Sequence, residues 1–193
     1  MKFILASKSP RRREILADLG LKFEIITADT DESCALTDPK AYVEELALRK
    51  GRAVAKLLSD NDTLIIASDT VVACSGEILG KPHDRADAKR MLDMLSGSKH
   101  DVISGIALIT REKAVVASET THVIFDRLSD SDKEIYINSD EPYDKAGAYA
   151  IQGLASMWIK GMEGDYFNVV GLPVKLLHDV LKKEFGIDMA RII

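Results

Sequence analysis

The chain's 193 residues are 46% hydrophobic and 30% charged, a balance that excludes disordered and fibrous classes and suits one globular domain. Its 26 Lys and Arg against 31 Asp and Glu leave a net charge of -5, so non-specific attraction to nucleic acid or to an anionic membrane lacks its usual driving force. Two cysteines, Cys34 and Cys74, form neither a disulfide framework nor a CxxC motif, which points to a reducing, cytoplasmic setting.

In chain order, MKFILASKSPRRR returns to charge after Phe3 to Ala6, too short a run for a signal-peptide core or a membrane span. Lys2 to Ala6 reads instead as a short buried strand. Ser9 supplies a helix N-cap and Pro10 the first helical position, with Ile15, Leu16 and Leu19 as the apolar stripe and Gly20 as a left-handed cap. Lys22 to Ile26 is predicted as a strand. Asp38-Pro39 opens a helix to about Leu58, with Val43, Leu46, Ala47, Val54 and Leu57 along one face. Leu64 to Ala67 is a continuous apolar strand, and Val71 to Ala73, Ser75-Gly76 and Ile78-Leu79 predict a hairpin ending at Gly80-Lys81-Pro82. Ala86 to Leu95 reads as a helix. Val102 to Ile109 and Val115 to Phe125 read as long antiparallel strands joined around Arg111 to Lys113, so the sheet is expected to be mixed. Ser129 to Asn138 follows as a helix with Asp132 in the acidic capping-box position. After a loop from Asp140 to Gly153 come predicted strands at Met157 to Lys160 and Phe167 to Val170, then a helix opened by Pro173 and closed by Gly186. No repeat or linker interrupts the alternation, which predicts a single α/β domain over residues 1–193: a mixed, twisted sheet with flanking helices.

Arg11, Arg12 and Arg13 stand in the first turn of a helix, where the dipole disfavours cations by a few tenths of a kcal/mol each (~0.3–1 in general). A bound phosphate removes the conflict, since guanidinium forks and free helix amides both suit its oxygens. The plainer reading is a solvated basic face beside Glu14. Lys50 falls on the apolar stripe, four residues after Leu46, and is either a snorkelling stem or an ammonium in a polar cleft. Asp69 follows the strand Leu64 to Ala67, at a strand's carboxyl end, where open α/β sheets place ligands; its alternative role is to organise its own turn. Asp29, Asp31 and Glu32 form a second acidic group that can hold a hydrated metal or simply face water. Gly76 to Lys81 is one residue short of a Walker A loop and has Pro82 in place of Ser or Thr, so that motif is rejected. His83, His100, His122 and His178 lack metal-ligand spacing. Asp144 to Gly153 combines small residues with Gln152, whose carboxamide can read a base edge.

The blocks LASKSPRR, Glu32, ELALRK, SDTVV, GKP, LSGSKH, DKAGAYAIQG and GDYFNVVGLP, in this order from Leu5 to Pro173, resemble the Maf family of nucleoside triphosphate pyrophosphatases. The resemblance implies an inosine triphosphatase-like fold with two lobes around a deep cleft, a homodimer, and hydrolysis of a nucleoside triphosphate to the monophosphate and pyrophosphate with Mg2+ or Mn2+. It implies Asp69 as proton acceptor, and Ser7, Arg11 and Arg12 as the phosphate grip. Glu32, Lys50 and Lys81 match further cleft residues, with Glu32 and Asp69 as metal ligands. Arg11, Thr70 and Gln152 match the base-selecting positions of the branch that prefers dTTP and UTP. Two rivals are a regulator of septum formation acting through a partner, and a nucleotide sensor with little turnover.

Overall fold

The computed structural model describes residues 1–60 and 62–192. Chain order gives β1 (Lys2–Leu5), α1 (Pro10–Asp18), β2 (Glu24–Ile25), α2 (Pro39–Ala55), β3 (Thr63–Cys74), β4 (Glu77–Leu79) and α3 (Arg85–Leu95). There follow β5 (Lys99–Ile109), β6 (Ala114–Phe125), α4 (Asp130–Ile137), β7 (Ile159–Glu163), α5 (Tyr166–Val170) and α6 (Val174–Phe185). Neighbouring strands run in the order β2, β1, β3, β5, β6, β7, and β4 pairs with β3. β1 lies parallel to β2 and β3, whereas β3–β4 and β6–β7 are antiparallel, so the sheet is mixed as the sequence predicts. Among the described residues no helix is long and apolar enough to cross a membrane.

The chain divides into two compact units. The first comprises Met1–Asp69, Ser104–Glu119 and Gly171–Ile193, the second Thr70–Ile103 and Thr120–Val170. In the first unit, Val43, Leu46, Ala47 and Val54 of α2 are buried, and a cluster forms from Ile4, Ile65, Ala67, Ala107 and Ile109. Each fully buried Val, Leu or Ile side chain among these contributes about 2 kcal/mol. Gly105 lets α2 approach so closely that a Cβ there would stand 2.5 Å from the carbonyl oxygen of Val43, a backbone atom with no room to give.

The second unit packs Val72, Leu79, Leu92, Leu95, Val123, Phe125, Tyr136 and Tyr149 into its own core. His100 is enclosed there, only 2% exposed, with Nε2 2.7 Å from the Tyr149 hydroxyl and its ring edge-on to Phe125. Burial pushes its pKa down from 6.5 to about 4, against a smaller opposing pull from Asp101. The unfolded chain therefore binds a proton on His100 that the folded chain refuses between those two values, and stability falls as pH drops from 6.5 to 4. The loss is at most about 3 kcal/mol, complete near the lower value and absent above 6.5. His100→Phe is expected to flatten the melting-temperature profile across this window. Equal slopes in both proteins would assign the acid loss to other groups.

Three predicted elements differ from those observed. The apolar run Leu64 to Ala67 does not end before Asp69: β3 continues through Ser68, Asp69 and Thr70 to Cys74, so Asp69 lies within a strand and not past its end. Ser68-Asp69-Thr70 looks like a terminus only because polar residues interrupt the run, and in the fold Ser68 and Asp69 find partners. Phe167 to Val170 lies in helix α5, where the Asp165 carboxylate accepts the Phe167 amide at 2.8 Å and starts the turn. An apolar run of this length carries no period by which to separate strand from helix. Finally, Leu154–Trp158 is a 3-10 turn held by the Ser156 hydroxyl on Gly153 O at 2.6 Å, so β7 starts only at Ile159.

Candidate functional site

Within the first unit, α2 carries Lys50 to Asp69 on β3. The Lys50 ammonium lies 2.5 Å from Asp69 Oδ1 and 2.9 Å from Glu32 Oε1, so one cation gathers two carboxylates. The side chains are 19% exposed for Lys50, 12% for Asp69 and 60% for Glu32, which means the pair at the inner end is shielded while Glu32 reaches it from water. Lys50 is largely buried on α2, and its ammonium meets two carboxylates. In its partly dehydrated surroundings the Lys50–Asp69 interaction is stronger than a surface pair. Tyr42, half-buried on the same helix, is held protonated above the usual phenol range, first by burial and then by Asp69, Cys34 and Glu32, with Lys50 opposing. Nothing in the local sequence singles Tyr42 out.

Helix α1 begins as expected, with the Ser9 hydroxyl accepting from the Arg12 amide and Pro10 at the first position. Arg12 turns back from that first turn. Its Nε donates to Gly171 O at 2.8 Å, and its Nη1 donates to Ser68 O at 2.8 Å and to the Ser7 hydroxyl at 3.3 Å. The buried Ser68 hydroxyl also donates to Gly171 O, at 3.0 Å. The residue before Asp69 is thus fastened on both its main chain and its side chain. Burial lowers the Arg12 pKa from the ordinary arginine value, Asp69 and Glu32 oppose that, and Arg11 adds to it. Electrostatically, then, Arg11, Arg12, Asp69 and Glu32 belong to one cluster. Sequence reasoning did not anticipate Ser68 or Gly171, because the acceptors are main-chain carbonyls and a lone serine hydroxyl carries no spacing signal.

Asp29 and Asp31 do not join the cluster's hydrogen bonds: Asp29 meets Lys8 at 3.2 Å, and the Asp31 carboxylate accepts the Ser33 amide and hydroxyl, which lower its pKa. Among the described residues, no group of three or more His, Cys, Asp and Glu side chains is placed to hold a metal ion. Asp69 and Glu32 remain as a two-carboxylate donor set converging on the Lys50 ammonium. That set fits a hard divalent cation of the Mg2+ kind, which takes one or two carboxylates and fills its other positions with water and phosphate oxygens.

The remaining residues singled out in the sequence belong to the second unit. Thr70 follows Asp69 directly on β3 and is half-buried. Lys81 is exposed in the turn after β4, whose Gly80 O accepts the Gly147 amide at 2.9 Å. Gln152 is exposed, and its Nε2 donates to the Tyr166 hydroxyl at 3.3 Å.

The sequence profile of the family described as Maf-like protein matches residues 2–184. A dTTP/UTP pyrophosphatase of Caldanaerobacter subterraneus subsp. tengcongensis is 48% identical over 189 residues, covering 97% of this chain and 91% of that protein. A dTTP/UTP pyrophosphatase of Bacillus anthracis is 44% identical, covering 97% of each. In fold, the chain is similar to the Ham1 protein of Staphylococcus aureus, with a TM-score of 0.51 at 14% identity over 99% of this chain and 93% of that one.

Proposed function

The chain belongs to the Maf-like protein family, and from that premise we propose that it is a nucleoside triphosphate pyrophosphatase acting on dTTP and UTP. The observation that carries the reading is the cluster in which Lys50 joins Asp69 to Glu32 while Arg12 fixes the residue before Asp69. Hydrolysis of the anhydride between the α and β phosphates requires a positioned water and neutral surroundings for a highly charged leaving group. In this reading Asp69 takes a proton from the water as its oxygen bonds to the α-phosphorus and the bond to the bridging oxygen breaks, releasing pyrophosphate. Lys50, 2.5 Å from Asp69 Oδ1, keeps that carboxylate aimed. Asp69 and Glu32 would hold a divalent cation, Mg2+ or Mn2+, which would supply charge neutralisation on the phosphates.

Ser7 and Arg11 take the phosphates, and Arg12, whose Nε and Nη1 already hold main-chain carbonyls, adds its charge to the same field. Thr70, Lys81 and Gln152 complete the substrate contacts, Gln152 toward the base. Residues 1–193 act as one catalytic domain, in a cytoplasmic homodimer. The test is release of pyrophosphate from a panel of triphosphates with Mg2+, with Mn2+ and with a chelator. dTTP and UTP are expected to lead the panel, and chelation to stop turnover. No release from any triphosphate would leave the two rivals, a partner-binding regulator of septum formation and a nucleotide sensor, in its place.

A further inference from the structure

Gln152 stands on a short exposed stretch, and each side of that stretch is tied into the interior of the second unit. Three residues before it, Tyr149 is 5% exposed, its ring edge-on to Phe125 at 4.7 Å and its hydroxyl 2.7 Å from His100 Nε2. Two residues after it, the Leu154 amide donates to Glu141 Oε2 at 3.1 Å, while the hydroxyl of the fully buried Tyr136 donates to Glu141 Oε1 at 3.2 Å. Between these ties Gly153 adopts φ +87 and passes so close to Glu141 that a Cβ would lie 2.5 Å from Oε1. Glu141 therefore spends both carboxylate oxygens on one backbone amide and one interior phenol. A solvated turn needs neither a carboxylate nor a buried histidine to hold it. Such anchoring is what a recognition side chain requires if its geometry is to be set before the ligand arrives.

We propose that Glu141 and the His100–Tyr149 pair are positioning residues that preset Gln152 for the ring carbonyl and imide N–H of a uracil or thymine base. The inference rests on the dTTP/UTP reading above and assigns its specificity to three residues that touch no phosphate. A carboxamide offers one acceptor and a donor pair, which complement an imide edge only when the amide plane is held at a fixed place. If the ties are cut the contact loosens in the ground state and the transition state alike, which raises KM and leaves kcat.

Tyr149→Phe and Glu141→Gln, each alone and each combined with Gln152→Ala, separate positioning from general stability, with melting curves to confirm folding. For the single variants, KM for dTTP and UTP is expected to rise about tenfold with kcat unchanged, the size expected for one well-made polar contact. In the Gln152→Ala background neither substitution is expected to raise KM further. Hydrogen exchange of the amides from Tyr149 to Leu154 is expected to quicken in both single variants while the rest of the unit keeps its protection. Wild-type KM in the single variants overturns the proposal, as does a full added rise in the Gln152→Ala background or a fall in kcat at constant KM. If the unsubstituted protein releases no pyrophosphate, the dTTP/UTP reading fails by itself, and exchange still judges the ties: unchanged rates over Tyr149 to Leu154 overturn them.

Discussion

Asp69→Asn is expected to keep its fold, keep nucleotide binding and lose turnover by roughly a hundredfold to ten-thousandfold, the range general-base catalysis contributes. The amide preserves the shape of the side chain and can still accept from Lys50, so the Lys50 ammonium, also paired with Glu32, is not stranded. What disappears is the basic oxygen and the anionic metal ligand. Single-turnover release of pyrophosphate measures the chemical step, and calorimetric titration with a non-hydrolysable triphosphate measures binding. A loss of binding with normal turnover of the bound fraction would make Asp69 a binding residue only. Undiminished release would remove it from the chemistry altogether. Melting is expected to move by no more than a few degrees, because the amide fills the same buried space, still accepts from Lys50, and Glu32 continues to balance that ammonium.

What could be read from the sequence follows from the range of the interactions involved. The Ser9-Pro10 start of α1, the glycine that closes α6 and the Ser129–Asp132 capping box are local signals, each written within a few residues, and all three are observed. Lys50 stood out because a cation interrupts an apolar stripe, and the structure supplies its counter-charges from residues 18 and 19 positions away on either side. By contrast, the fastening of Ser68 depends on Gly171, 159 residues beyond Arg12 in the chain. A carbonyl oxygen carries no residue-type signature, so no motif announces that contact. The same limit concealed the strand through Asp69: polarity marked an ending where long-range partners permit continuation. In the second unit Glu141 reads as an ordinary loop acid, and only the positive φ of Gly153 and the buried Tyr136 reveal its use.

The second large effect concerns Arg12, for which sequence and structure emphasise different things. From sequence it is a phosphate fork at a helix start; in the fold, Nε and Nη1 already bridge Gly171 O and Ser68 O. Lysine retains the charge, yet a single ammonium cannot reproduce the planar fork that meets two carbonyls at once. Arg12→Lys is therefore expected to destabilise the nucleotide-free protein by about 3 kcal/mol, the scale of losing charge-assisted bonds to partly buried acceptors. In a chain of this size that corresponds to a melting shift of roughly 10 °C. Turnover falls with it, because Ser68 precedes Asp69 and a loosened main chain there lets the carboxylate wander from the water it deprotonates, where even ~1 Å is costly. Arg11→Lys provides the contrast: on the phosphate-grip reading its main effect is a raised KM. If instead Arg12 acted on phosphate alone, Arg12→Lys would melt like the parent without nucleotide and differ from it only when triphosphate is added. Paired melting curves with and without a non-hydrolysable triphosphate distinguish these outcomes, and the nucleotide-free curve of Arg12→Lys decides whether the first turn of α1 holds the catalytic strand in place.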